Sequence, residues 1–221
     1  MSAFTNFAGA RIVSGRITMP LYGAWVADIV IADATPIPTT GTLAFGSLSL
    51  TGTVVRSLAY SGLQNARLVG GYGGWRRTIP SRAYQFAAGV LLSTVLGDAA
   101  KECGESVTVT TDASIGTAYV REQAPASRTL RGLAGALWWI DPTGTTRVGP
   151  RDGANAAVSS QYEVINANGG DGAYSIATDA PGDWFPGVSF TSPAVPVAKV
   201  VQFVTHTVTD SGKGRVEVLA A

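Results

Sequence analysis

Residues 125–151 read PASRTLRGLAGALWWIDPTGTTRVGPR. The spacing predicts a short helix from Ser127 to about Ala136, then an aromatic strand, Leu137-Trp138-Trp139-Ile140. Asp141-Pro142-Thr143-Gly144 reads as a turn, and Thr145 to Val148 as the strand returning from it. Trp138 and Trp139 fall on opposite faces of their strand, so one belongs to a core and the other covers the helix or an interface. The unit is a helix followed by a hairpin, and it carries no catalytic side chain.

Upstream, Tyr84 to Gly104 has the period of a long helix. Ala88, Leu92, Leu96, Ala99 and Cys103 share one face, and Leu91 and Val95 widen it. Ser81, after Pro80, is placed as the N-cap and Gly104 as the stop. Cys103 on this stripe is expected in the core, since a catalytic thiol needs a nearby base and the sequence has one histidine. Short strands follow at Ser106 to Thr110 and Ala118 to Arg121, around a turn at Asp112 and Gly116.

Further out the pattern is β on both sides. Arg11 to Thr18, Gly23 to Ala32, Gly41 to Phe45, Leu48 to Arg56, Leu58 to Leu63 and Ala66 to Val69 are candidate strands, with a loop at Pro36-Ile37-Pro38. Trp25, Ala27, Ile29 and Ile31 lie on one side of their strand; Val26, Asp28 and Val30 lie on the other. Residues 70–77, GGYGGWRR, match neither a phosphate loop nor a dinucleotide fingerprint. They read as a tight connection with an aromatic anchor, Trp75, and a basic pair. Toward the C-terminus, Tyr162 to Asn166 and Ala173 to Thr178 are strands, Ala180 to Pro196 a Pro-rich connection. Val197 to Val208 and Arg215 to Leu219 then flank a turn, 209–214. His206, among β-branched neighbours, is expected to be solvent-facing or satisfied.

Composition narrows the function classes. Charged residues make up 14% of the chain, and 16 basic against 15 acidic groups leave a formal net charge of +1. No basic excess marks a nucleic-acid or anionic-membrane partner. The abundant glycine, 27 of 221 residues, suits turn-rich β structure. One cysteine excludes an internal disulfide, and one histidine excludes a multi-histidine metal site. The N-terminus lacks a secretory pattern and no run reaches membrane-spanning length, so a soluble product of the cytoplasm is expected. Asp98, Glu102 and Glu105 near one helix end read as a solvated face. Asp179 and Asp183 lack the spacing of a calcium loop. No cofactor or metal site is expected, and no enzymatic activity.

In order of elements, and on Gly41 to Val54 (GTLAFGSLSLTGTV), the helix ending at Gly104 and Ser127 to Gly149, the chain resembles the phage tail baseplate hub proteins of the late control gene D family. Relatives of that family form the base of type VI secretion spikes. Most alike are the S-x-x-L-x-x-L-A helix, the WW-I-D turn and the VGPR exit. The resemblance implies a mainly β fold with a small α/β segment, in which two small antiparallel β-barrel-like units flank a helix and a helix-plus-hairpin. Boundaries are then expected at 1–80, 81–154 and 155–221, although the last region is short for a barrel. It implies a homo-oligomeric adaptor, a trimer before a hexamer, joining the tail tube and distal tail proteins to a central spike or fibre. The expected location is the virion tail tip, after synthesis in the host cytoplasm. Tyr72, Trp75, Arg76, Arg77, Trp184 and Phe185 are the expected interface residues, and Trp25 is a further exposed aromatic. Two other readings are kept: a receptor- or carbohydrate-binding β module using Trp184-Phe185 or Tyr72/Trp75 as a platform, and a tail-associated cell-wall hydrolase.

Overall fold

Alternation of apolar and polar residues dominates the first 70 positions, and it folds as a barrel. In the computed structural model, which describes residues 5–32, 36–151, 156–209 and 214–221, six strands come first. They are β1 (Asn6–Phe7), β2 (Ala10–Pro20), β3 (Val26–Ile31), β4 (Thr40–Phe45), β5 (Leu48–Tyr60) and β6 (Leu63–Gly70). They pair in the ring β1-β4-β5-β6-β3-β2, and β1 closes it by also pairing with β2. Trp25, Ala27, Ile29 and Ile31 share one side of β3 as their period predicts; that side is the buried one, which corrects the expectation of an exposed Trp25. Burying one such aliphatic side chain contributes about 1.5–3 kcal/mol. The expected strands Leu48 to Arg56 and Leu58 to Leu63 are instead β5 and the start of β6. Ser61 and Gly62, both at positive φ, make a two-residue hairpin turn between them.

The middle segment holds β7 (Thr78–Ile79), β8 (Arg82–Gln85), α1 (Leu92–Cys103), β9 (Val107–Val109), β10 (Ala118–Arg121), β11 (Ala124–Pro125), α2 (Ala126–Ala134), β12 (Trp138–Ile140) and β13 (Thr146–Val148). The helix-plus-hairpin forms as its sequence predicts. Asp141 sets the turn: its carboxylate accepts the N–H groups of Thr143 and Thr145, both at 3.0 Å, and the Arg147 Nε–H at 2.8 Å. The long helix is shorter than its period suggested. Residues 82–85 pair with β10, and the Val90 and Ile115 N–H groups bond across to Gly116 and Val90, so tertiary pairing holds this stretch extended. Ala88 is therefore exposed and outside the helix, and Ser81 caps nothing. Asp112 does that work from a distance, accepting the Ser93 N–H at 3.0 Å. Gly104 ends α1 in the left-handed conformation, as expected.

The last region contains β14 (Tyr162–Asn168), β15 (Ala173–Thr178), β16 (Ser189–Ser192), β17 (Val195–Val208) and β18 (Gly214–Ala220). The connection expected from Ala180 to Pro196 hides a strand, since β16 folds back on β17. Of the expected turn, 209–214, residues 210–213 lie outside the described residues. β17 pairs with β2, from Phe203 opposite Pro20 to Val208 opposite Gly15. That seam joins both β regions into one 11-stranded sheet over one hydrophobic core. A second core lies between α1, α2 and β13, and half-buried Trp138 touches both. The fold is mainly β with a small α segment.

Candidate interaction surface

Residues 70–77 wrap a carboxylate. Glu105, just past α1, reaches back into this loop and accepts the Gly74 N–H at 2.5 Å and the Tyr72 N–H at 3.2 Å. Converging backbone donors of this kind form an anion nest. Burial pushes the Glu105 carboxyl above the usual carboxylate range, and the backbone donors at Tyr72, Gly74 and Trp75 oppose the shift. A Cβ on Gly74 would sit 2.3 Å from the Cys103 carbonyl oxygen, so the approach requires glycine. Trp75 follows, buried, with its Nε1–H donating to Thr146 Oγ1 at 2.8 Å. The loop is an internal joint between the barrel and the middle segment.

Large apolar rings go where they bury most area, and that decides the expected interface residues. Trp184 is 0% exposed, packed edge-on to Tyr162 at 5.1 Å and tilted against Phe190 at 5.6 Å. Trp75 and Trp25 are likewise buried within the chain. Phe185 is half-buried against the main core. Tyr72, Arg76 and Arg77 remain exposed. The indoles are thus consumed inside the fold, while the tyrosine and the basic pair stay at the surface.

The expected solvated acidic face is also divided. Glu105 is buried in its nest. Glu102 pairs with Arg121, itself buried, which also donates to the Pro80 carbonyl at 3.0 Å. Arg82 bridges Asp98 at 3.1 Å and Glu102 at 3.4 Å. Cys103 is in the core as expected, its thiol pushed up to about 11 mainly by burial. His206 departs from expectation. It faces the main core at 0% exposure, edge-on to Phe45 at 6.1 Å, and neither ring nitrogen has a hydrogen-bond partner of normal geometry. Burial lowers its pKa to about 4, against a weaker opposing contribution from the Trp184 backbone. Among the described residues no group of His, Cys, Asp and Glu could hold a metal. Nor is any helix long and apolar enough to cross a membrane.

One feature of the sheet face was not legible locally. Arg56 stands opposite Arg67, Arg67 opposite Asp28, Asp28 opposite Arg16, and Arg16 opposite Thr207. These side chains form one row across β5, β6, β3, β2 and β17, lining an open concavity of about 590 Å³. The Arg67–Asp28 pair closes at 3.1 and 3.2 Å, but both side chains are exposed and the pair adds little stability. A second concavity, about 430 Å³, shares Arg16 and continues along Thr205, Glu217, Ser175 and Asn166. Those four are again in register across neighbouring strands. Each arginine is an ordinary polar position in its own strand; only register aligns them.

No protein-family model matches the chain, and no match was found among the curated proteins. Solved structures are similar to it. One is the E. coli c3393 protein, a component of the type VI secretion system with structural similarity to T4 bacteriophage tail proteins gp27 and gp5. It aligns with a TM-score of 0.67 and 10% identity over 98% of this chain and 76% of that one. The tail protein from Neisseria meningitidis MC58 gives 0.65 and 13% identity over 99% and 95%. The 43 kDa tail protein of prophage MuSo2 from Shewanella oneidensis gives 0.58 and 10% over 100% and 98%. At such identities the likeness establishes a shared fold.

Proposed function

We propose that this chain is a structural component of a phage tail tip or baseplate hub. In this reading it is a homo-oligomeric adaptor, a trimer before a hexamer, joining the tail tube to a central spike or fibre in the virion. Its three parts are residues 1–80, 81–154 and 155–221, and it is made in the host cytoplasm. The observation that carries the reading is a likeness to tail and type VI secretion proteins that spans essentially the whole chain. The chemistry is consistent with a scaffold. The buried carboxylates Glu105 and Asp141 hold backbone N–H groups, and the two concavities of the sheet face each carry one carboxylate, Asp28 and Glu217. A glycosidase needs two carboxylates across one cleft. A sugar platform needs exposed stacked rings, and Trp75 and Trp184 are buried.

The test is the native mass of the purified chain, alone and mixed with tail-tube protein. A trimer is expected. A monomer under both conditions would overturn the adaptor reading.

A further inference from the structure

Between β10 and α2 the middle segment leaves a groove. β10 pairs with β8 alone among the described residues, and its other edge is bare. The Phe86 N–H bonds to the Thr117 carbonyl at 3.0 Å. Antiparallel bonds recur at every second residue, so Tyr119 and Arg121 bond to β8, while the Val120 N–H and carbonyl point to the bare edge. That edge borders a concavity of about 270 Å³, whose far wall is Arg128, Thr129 and Gly132 of α2. A Cβ on Gly132 would meet nothing within 4 Å, so the helix leaves the space open. A bare strand edge facing a helix across an open groove suits an extended chain, held by main-chain bonds and selected by alternate side chains.

We propose that this groove takes an extended segment of a different protein as a third strand on β10, with a carboxylate side chain set opposite Arg121. Such a contact would add to the adaptor and does not depend on its oligomeric state.

The groove's own chemistry selects the carboxylate. Arg121 is 1% exposed, and its terminal nitrogens donate to the Pro80 carbonyl, the Tyr84 hydroxyl and Glu102. Its Nε–H has no partner among the described residues. An unmet donor on a buried cation is satisfied best by an anion. Arg128 adds a second guanidinium at the rim. It reaches Glu122 only at 3.6 Å, both side chains are exposed, and the pair is weak enough to open. α2 starts behind Pro125 with no side-chain cap, so its first turn, which includes Arg128 and Thr129, presents the positive end of the helix dipole to the groove.

Strand geometry then fixes the neighbours. An incoming residue opposite Val120 exchanges both backbone bonds with it. Those opposite Arg121 and Tyr119 form the close, non-bonded pairs, with side chains on the same face as these two. Tyr119 is half-buried, its ring 6.3 Å from that of Tyr84, and offers an apolar surface. In the antiparallel direction the segment therefore reads acidic residue, any residue, aromatic or apolar residue.

The probe is a fluorescein-labelled, end-capped peptide, Ser-Thr-Lys-Glu-Val-Tyr-Thr-Ser, titrated with the full chain and read by anisotropy. Saturable binding is expected. Glutamine in place of its glutamate should weaken binding by ~10-fold or more, the worth of a hydrogen bond to a charged group. N-methylation of its valine removes the bond to the Val120 carbonyl and should weaken binding by about 10-fold. Gly132→Leu fills the groove from a position open to a side chain, and should abolish binding with an unchanged circular dichroism spectrum. No saturable binding at millimolar chain would overturn the proposal. Equal binding of the N-methylated peptide would overturn strand addition, and equal binding of the glutamine peptide would overturn the carboxylate site. Unchanged binding to Gly132→Leu would overturn the groove as its location. The native mass of Gly132→Leu should equal that of the natural chain; a smaller oligomer would overturn the proposal in favour of a second copy as occupant. A natural chain that stays monomeric with tail-tube protein, yet binds the peptide as described, would overturn the adaptor and uphold the groove.

Discussion

Glu105 accepts the backbone N–H of Gly74 at 2.5 Å, 31 residues back along the chain, and so ties the end of α1 to the loop leaving the barrel. Removing the carboxylate leaves the buried Gly74 N–H without its acceptor. Glu105→Ala should therefore cost about 1–3 kcal/mol in urea unfolding at neutral pH. The pH dependence has a definite sign. A folded-state pKa raised by burial means the folded chain holds this proton longer than the unfolded one. The contribution of Glu105 to stability is greatest below the ordinary glutamate range and declines as pH rises through the window just above it. Comparing the natural chain with Glu105→Gln across that window isolates the effect; parallel curves would refute it.

His206 gives the opposite slope. Its folded pKa of about 4 lies below the ordinary 6.5, so the unfolded chain binds the proton first as pH falls. Stability is complete above the upper value and is lost progressively down to the lower one, by about 3 kcal/mol at most. His206→Leu should flatten this part of the stability curve. The check is the difference in unfolding free energy between variant and natural chain from pH 7 to pH 4.

Asp112 caps α1 from outside the helix, through the Ser93 N–H and hydroxyl. Asp112→Ala should destabilise the chain by about 1 kcal/mol, and Asp112→Asn by less, because a neutral side-chain oxygen still accepts. Amide hydrogen exchange in the first turn of α1 should rise in the alanine variant only.

Arg121 is a buried cation held by Glu102. Removing one partner of such a pair is costly, on the order of 3–5 kcal/mol, whereas replacing the cation by an apolar side chain of similar volume is mild. Glu102→Ala should accordingly lower the thermal midpoint more than Arg121→Met. The reverse order would show that Glu102 is not what satisfies the guanidinium.

Much of the architecture was legible because local rules and tertiary structure agreed. β10 and β15 fall on the strands that alternation predicts, and Asp141 makes the turn its neighbours call for. The aromatic residues were misjudged where only environment distinguishes them. Tyr72 and Trp75 stand three residues apart in one loop, yet one is exposed and the other donates to Thr146 inside the fold. Ala88 carries a helical period, but pairing between β8 and β10 holds the residues just before it extended.

By itself the sequence determined the mainly β character, the division of β3 into two faces, the helix-plus-hairpin and the core position of Cys103. Each of these follows from periodicity or turn chemistry within a few residues. Only the tertiary structure decided that β17 joins β2, that His206 is buried in the main core, that Glu105 sits in a backbone nest, and that Arg16, Asp28, Arg67 and Arg56 form one row. Those features depend on register between strands far apart in the chain, and a shift of one residue would turn every side chain to the other face.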